Sequence, residues 1–316
     1  MAAGTFSIDR CPHSKQRIFL SVDVTDSTKI KSSLSQPDHT SDKWAKEFLN
    51  LLSRVYTVYK DKLYHVVNDH CPKIDCNKCG SRTIKESTTS TVKVWKYIGD
   101  EVVLFADLIC NEYQASLHVL AMAETIKHFN NMKKSTLQIK GTAWVAGFPV
   151  DNIEYTHLTT ENHEVNDFLG PLIDLGFRLT SFATKERLII SASLAFFITK
   201  ESKFNKPFKY MKKEIYHLPL CFGGFREVKG VKEGKHPLIW YSINETEESE
   251  LCIVDHDKLQ NFLIGKEGPF FDWLYEQFIP GTQEFDPYYI EEYDKVIKEH
   301  SEYPTSLPVT LTPPIK

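Results

Sequence analysis

The stretch Arg17-Ile18-Phe19-Leu20-Ser21-Val22-Asp23-Val24 decides how this chain is read. It is short, apolar and β-branched, which predicts a buried strand. Alternation puts Phe19, Ser21 and Asp23 on one face and Ile18, Leu20 and Val22 on the other. An ionised carboxylate near the end of such a strand costs several kcal/mol unless a cation or hydrogen-bond donors meet it. Asp26, Ser27 and Thr28 follow at once in a turn whose backbone N–H groups and hydroxyls suit a phosphate.

Downstream, Trp44, Phe48, Leu49, Leu51, Leu52, Val55, Tyr56 and Tyr59 recur at helical spacing. Residues 66–90 are polar, cysteine-bearing and Ser/Thr-rich and predict a surface excursion. TVKVWKY (Thr91–Tyr97) and EVVLFAD (Glu101–Asp107) flank Ile98-Gly99-Asp100 and predict a tight hairpin. Along its first strand, alternation groups Lys96, Ile98 and Asp100 and turns Trp95 and Tyr97 away. A second helix carries Tyr113, Leu117, Leu120, Ala123, Ile126 and Phe129 inward. A strand (Ser135–Gly147) and a polar loop from Asp151 to about Val165 come next. Gly170-Pro171 opens a further helix, since proline suits a first helical turn. RLIIS (Arg187–Ser191) is a strand, and FREVKG (Phe225–Gly230) with PLIWYSI (Pro237–Ile243) forms a last hairpin.

This order is β-α-β-β-α-β, then α-β and a hairpin: an α+β, ferredoxin-like or palm arrangement over residues 1–243. The acidic run Asn244–Glu250 reads as a linker into an extension, residues 244–316. That extension is mostly helical, with segments such as Phe270–Phe278 and Tyr288–His300. Its tail, 301–316, is proline-rich and reads as disordered.

Composition narrows the function classes. With 316 residues, 41% hydrophobic and 25% charged, the chain is an ordinary globular one of one or two domains, not a fibrous or disordered polymer. A net charge of −4 provides no positive field for phosphate backbones, so no nucleic-acid partner is expected. Outside the tail, the longest uncharged run, Leu188–Thr199, has 12 residues, short of the ~20 that cross a bilayer. No membrane partner is expected, and MAAGTFSIDR does not read as a secretory signal. An odd seven cysteines fit reduced thiols, hence a cytoplasmic setting. His70, Cys71, Cys76 and Cys79 hold one CxxC pair and an irregular second half. A structural Zn²⁺ on Cys71, Cys76 and Cys79 and free loop thiols are both open readings, with free thiols the default.

Asp23 and Asp100 are the two residues on which the chemistry turns. A lone aspartate at a strand end is more often a turn cap. Turn chemistry does not, however, require both to follow apolar strands. Two hard carboxylates there would hold one or two Mg²⁺ or Mn²⁺ ions against a triphosphate.

SVDVTDST (Ser21–Thr28), KYIGDEV (Lys96–Val102) and FLGPLIDLGFRL (Phe168–Leu179) together resemble the signatures of class III nucleotidyl cyclases. The resemblance covers about residues 17–243. It implies that Asp23 and Asp100 bind two metal ions with the Val24 carbonyl as a further ligand, and that Thr28 lies in the phosphate-binding turn. It implies base reading by Lys96 and Asp167, transition-state stabilisation by Arg178 and a triphosphate grip by Lys229. It also implies a homodimer with active sites at the interface. Where the family has asparagine, this chain has Asp174, one helical turn before Arg178, so the spacing predicts an ion pair between them. An ionised aspartate has no donor for a ribose oxygen, so ribose handling departs from the family.

IDLGFRLTSFAT (Ile173–Thr184) is most similar to the Pycsar antiphage cyclases, which make cyclic UMP or cyclic CMP for a separate downstream effector. The expected reaction is UTP to 3′,5′-cyclic UMP and pyrophosphate. Lys96 would donate to a pyrimidine carbonyl while Asp167 accepts from a ring N–H, which suits uracil. The same pair also serves CTP or ATP. Two rivals stand beside this reading: another palm enzyme such as a diguanylate-cyclase-like protein, and a non-catalytic nucleotide-binding module.

Overall fold

The structure is a computed structural model. It describes residues 6–9, 15–34, 42–70, 88–89, 91–108, 114–132, 137–148, 152–158, 164–200, 204, 207–210, 212–229 and 235–244. Cys71, Cys76, Cys79 and the extension after residue 244 lie outside the described residues.

The chain runs β1 (Phe6–Asp9), β2 (Lys15–Val24), α1 (Ser27–Leu34), α2 (Asp42–His70), β3 (Lys93–Ile98), β4 (Glu101–Asp107), α3 (Gln114–Asn130), β5 (Ile139–Phe148), β6 (Ile153–Leu158) and β7 (Glu164–Leu169). It continues with α4 (Pro171–Leu179), β8 (Arg187–Ile190), α5 (Ala192–Lys200), β9 (Phe208–Tyr210), β10 (Lys213–Ile215), β11 (Cys221–Glu227) and β12 (Lys235–Ser242). Seven strands form one sheet in the order β11-β12-β8-β5-β2-β4-β3. Its β5-β2-β4-β3 part is antiparallel throughout, and the helices between those strands complete the βαββαβ unit. β8 then pairs with β5 in parallel, and β12 and β11 extend the sheet as a hairpin.

β2 is central, and both of its faces are covered: Ile18, Phe19, Leu20 and Val22 are wholly buried. Phe19 leads an aromatic cluster, with ring centroids 5.5 Å from Trp144, 5.4 Å from Trp95 and 5.3 Å from Phe168. α2 and α3 pack against each other, burying Tyr59, Leu63, Leu117 and Ile126.

One expectation fails. The stretch 151–165 is not simply a polar loop: β6 and β7 occupy residues 153–158 and 164–169. They pair with each other and, through β6, with β1, making a second, three-stranded sheet. Their residues are too polar and too partly exposed to announce strands by hydrophobic alternation. No helix among the described residues is long and apolar enough to cross a membrane.

Candidate active site

Strand register builds the carboxylate end of the site. Asp23 pairs across β2 and β4 with Glu101, and across β2 and β5 with Lys140. Burial pushes the Asp23 carboxyl above its ordinary pKa, Lys140 Nζ at 3.3 Å pulls it back, and the Asp100 charge pushes it up again. The Val24 N–H also donates to the Asp23 carboxylate. Glu101, which accepts from Ser21 Oγ, is likewise raised by burial and by the charges of Asp23 and Asp100.

Asp100 sits in the two-residue turn between β3 and β4. Gly99 there takes φ 64°, a conformation that costs glycine little. Burial would raise Asp100, but donation from Ser27 and from Lys31, whose Nζ is 3.3 Å away, outweighs it and holds the carboxyl low. The Lys31 ammonium also lies 5.3 Å from the Phe48 ring centroid. Thr28 is exposed in the first turn of α1.

Asp23 and Glu101 thus share one sheet end and feel the charge of Asp100 in the adjoining turn, and carboxylate oxygens are the donor type that Mg²⁺ or Mn²⁺ takes. Among the described residues, no three His, Cys, Asp or Glu side chains are arranged as a metal-holding group. Lys140 and Lys31 instead supply cations to Asp23 and Asp100.

A second cluster joins β3 to β7. Lys96 Nζ lies 2.6 Å from Asp167 Oδ1. The same oxygen accepts from Trp95 Nε1 (2.8 Å) and from the Phe168 N–H (2.9 Å), while Oδ2 accepts from the Tyr155 hydroxyl (3.1 Å). Burial raises the Asp167 carboxyl, but Lys96, the Phe168 N–H and Tyr155 outweigh it and hold it below the usual range. Sequence alternation set Trp95 apart from Lys96. The register of β3 against β4 shifts between Val94 and Lys96, and this bulge brings both side chains to one carboxylate.

A third group sits on α4 and after β11. Gly170, at φ 149°, precedes α4, and a Cβ there would stand 2.3 Å from Asn152 Oδ1. That oxygen accepts from the Leu172 N–H and so meets an unpaired donor of the first turn. Arg178, exposed, donates from Nη1 to the Lys229 carbonyl. The expected Asp174–Arg178 ion pair does not form among the described residues. Asp174 is exposed on the same helix, and the guanidinium is directed to Lys229 instead.

Sequence reasoning missed Glu101, Lys140, Trp95 and Tyr155. Only Glu101, next to Asp100 in the hairpin, carried a local signal; the other three need cross-strand register.

No family model and no curated protein matches the chain. Among solved structures it is similar to the adenylyl cyclase CyaB from P. aeruginosa, at 13% identity over 74% of this chain and 96% of that chain, with TM-score 0.48. It is also similar to the guanylate cyclase domain of RhGC from Catenaria anguillulae in complex with GTP, at 16% identity over 72% and 96%, with TM-score 0.44. A bacterial light-regulated adenylyl cyclase matches at 10% identity over 74% and 94%, with TM-score 0.44. Likeness at this level carries none of the chemistry that follows.

Proposed function

We propose that the chain is a nucleotidyl cyclase that converts UTP to 3′,5′-cyclic UMP and pyrophosphate. The observation that carries this reading is the register that sets Asp23 opposite Glu101, the residue next to Asp100 in the β3–β4 turn, so that both aspartates lie at one sheet end. Lys96, paired with Asp167 of β7, stands farther back on the same hairpin, four residues from Asp100, on the order of 10 Å along the strand. That spacing suits a triphosphate at one end and a base at the other.

In the reaction, the ribose 3′-oxygen attacks the α-phosphorus, the bond from that phosphorus to the bridging oxygen breaks, and pyrophosphate leaves. The 3′-hydroxyl proton passes to solvent or a nearby carboxylate. Asp23, Asp100 and the Val24 carbonyl would hold Mg²⁺ or Mn²⁺, which supplies charge neutralisation for the attacking and leaving oxygens. Thr28 would donate to a phosphate oxygen. Arg178 presents a planar donor fork suited to the charge on the five-coordinate phosphorus, and Lys229 an ammonium for the leaving group. Asp174, an acceptor only, would take a ribose hydroxyl.

Arg178 contacts neither Asp23 nor Asp100 among the described residues, so a second copy of the chain would complete each site. Tyr97, Ile98 and Leu169, exposed at 54%, 43% and 51%, supply apolar surface beside the base-reading pair for such a contact. Similarity of Ile173–Thr184 to the antiphage pyrimidine cyclases supports a product that switches on a separate effector, in the cytoplasm.

A second reading has its own support. Lys140 on Asp23 and Lys31 on Asp100 are what a nucleotide-binding module without turnover would show. Purified protein incubated with ATP, GTP, CTP or UTP and Mn²⁺, with products identified by mass spectrometry, separates the two. Cyclic UMP is expected from UTP. Dominant cyclic AMP or cyclic GMP overturns the pyrimidine assignment, and no product from any nucleotide leaves the binding module.

A further inference from the structure

Asp167 is met by four donors, and they are unevenly divided between its two oxygens. Oδ1 receives Trp95 Nε1–H, the Phe168 N–H and the Lys96 ammonium, whereas Oδ2 receives only the Tyr155 hydroxyl. A carboxylate oxygen offers about two lone-pair positions. When Lys96 turns to a carbonyl of an incoming base, Trp95 and Phe168 still fill Oδ1. Tyr155 fills half of Oδ2, and one acceptor position is left.

Both side-chain donors are built to stay. The Trp95 ring is held at 5.0 Å from Phe168 and 5.7 Å from Phe177. The Tyr155 phenol is pushed up by burial and then by the Asp167 charge, so it remains a donor at neutral pH. The Lys96 ammonium, 2.6 Å from Oδ1, also lies 4.1 Å from the Trp95 ring centroid, so the ring gives it a partner besides the carboxylate.

We propose that Trp95 and Tyr155 are positioning residues that set base choice, by leaving Asp167 one open acceptor for a nucleobase. Neither residue touches the base. A base edge with one N–H to place there, such as the ring N–H of uracil or one N–H of an exocyclic amine, is satisfied. Guanine presents a ring N–H and an amino N–H side by side, which call for both carboxylate oxygens. One of them would be buried unpaired, a cost that discriminates strongly. The inference rests on Lys96 and Asp167 reading the base, as proposed above, and does not require turnover.

The test uses 3′-deoxy-UTP and 3′-deoxy-GTP, which lack the attacking hydroxyl and therefore bind without reacting. In the wild type, 3′-deoxy-UTP should bind at least ~10-fold more tightly than 3′-deoxy-GTP by calorimetry. Trp95→Phe keeps the aromatic packing and opens one position on Oδ1. It should narrow that ratio about 10-fold, chiefly by strengthening 3′-deoxy-GTP. Tyr155→Phe, on the half-exposed small sheet, should do the same through Oδ2 and serves if Trp95→Phe melts early.

Equal binding of the two nucleotides by wild type overturns the proposal. So does a parallel loss of both in folded variants, which is what a merely structural role gives. Selective binding with no cyclic product from the ribonucleotides would sink the cyclase reading alone. Turnover with a nucleotide preference untouched by either substitution would sink this proposal alone.

Discussion

Lys140 Nζ lies 3.3 Å from Asp23 Oδ2, on the strand next to it, and supplies that carboxylate with a cation. Under the proposed cyclase reading a divalent ion held by Asp23 would compete with it. Replacing Lys140 by methionine removes the competitor while keeping an unbranched side chain. Burial would then push the Asp23 carboxyl higher still, so both proteins are compared in one buffer near pH 8. Mn²⁺ binding by Lys140→Met, followed by electron paramagnetic resonance of the free ion, should tighten several-fold. Weaker binding would mean that Lys140 helps to hold the ion's surroundings.

Among the described residues Arg178 reaches only a backbone carbonyl, that of Lys229, from an exposed helix face. Arg178→Ala should therefore leave stability within about 0.5 kcal/mol of wild type. Loss of a donor aimed at developing charge costs ~10²–10³-fold in turnover, and cyclic product should fall by that factor. If sites form between two copies, mixing Arg178→Ala with Asp23→Asn protein restores one intact site in each mixed dimer. Random exchange should then recover about a quarter of wild-type activity. No recovery after proven subunit exchange would place each site within one chain.

What the sequence made legible follows burial. β2, β4, β5 and β12 are apolar runs between turn residues, whereas β11 spans Cys221–Glu227 rather than Phe225–Gly230, its glycines and half-exposed residues masking its start. α2 and α3 carry apolar residues at helical spacing. Asp23 and Asp100 stand out in the sequence only as a pair, because turn capping, the commoner role of a single aspartate at a strand end, does not require both to follow apolar strands. β6 and β7 carry no comparable signal, because IEYTHL and EVNDFL mix polar and apolar residues on a small sheet, with Phe168 buried between the half-buried Asp167 and the exposed Leu169. Asp167 was found only by its spacing to Gly170. Its partners Trp95 and Tyr155 depend on a bulge in β3 and on the β6–β7 register, neither of which local spacing encodes.

Arg17 links the two sheets. Its guanidinium is 2.6 Å from Asp107 and 2.8 Å from Glu154, and its Cζ lies 5.0 Å from the Phe168 ring centroid. Asp107 keeps some solvent, but Glu154 is almost covered. Arg17→Met would leave that carboxylate buried without its cation. Unfolding in urea should show a loss of about 3 kcal/mol. Arg17→Met combined with Glu154→Gln should recover part of it, since neither charge then remains uncompensated. An equal loss in single and double variants would trace the effect to packing against Phe168.

His118 sits wholly buried between α2 and α3, with Nδ1 2.5 Å from the Tyr59 hydroxyl and with Nε2 lacking a hydrogen-bond partner among the described residues. Burial drives the imidazole down to about 3 and pushes the Tyr59 phenol well up, so both groups are neutral in the fold and Tyr59 is the donor. Unfolded, the histidine takes a proton near its ordinary pKa of ~6.5. Between those values the unfolded state binds more protons than the native one, so stability rises with pH and is complete above ~6.5. On acidification from pH 6.5 the wild type should lose up to ~1.4 kcal/mol per pH unit from this residue. His236, held near 4 mainly by burial, adds a similar slope. Replacing both partners, Tyr59→Phe with His118→Leu, removes a polar pair together and should cost little at pH 7.5. Denaturant titrations at pH 7.5, 6.0 and 5.0 should show the double variant losing distinctly less stability across that range than wild type. Equal slopes would mean that His118 opens to water and titrates normally.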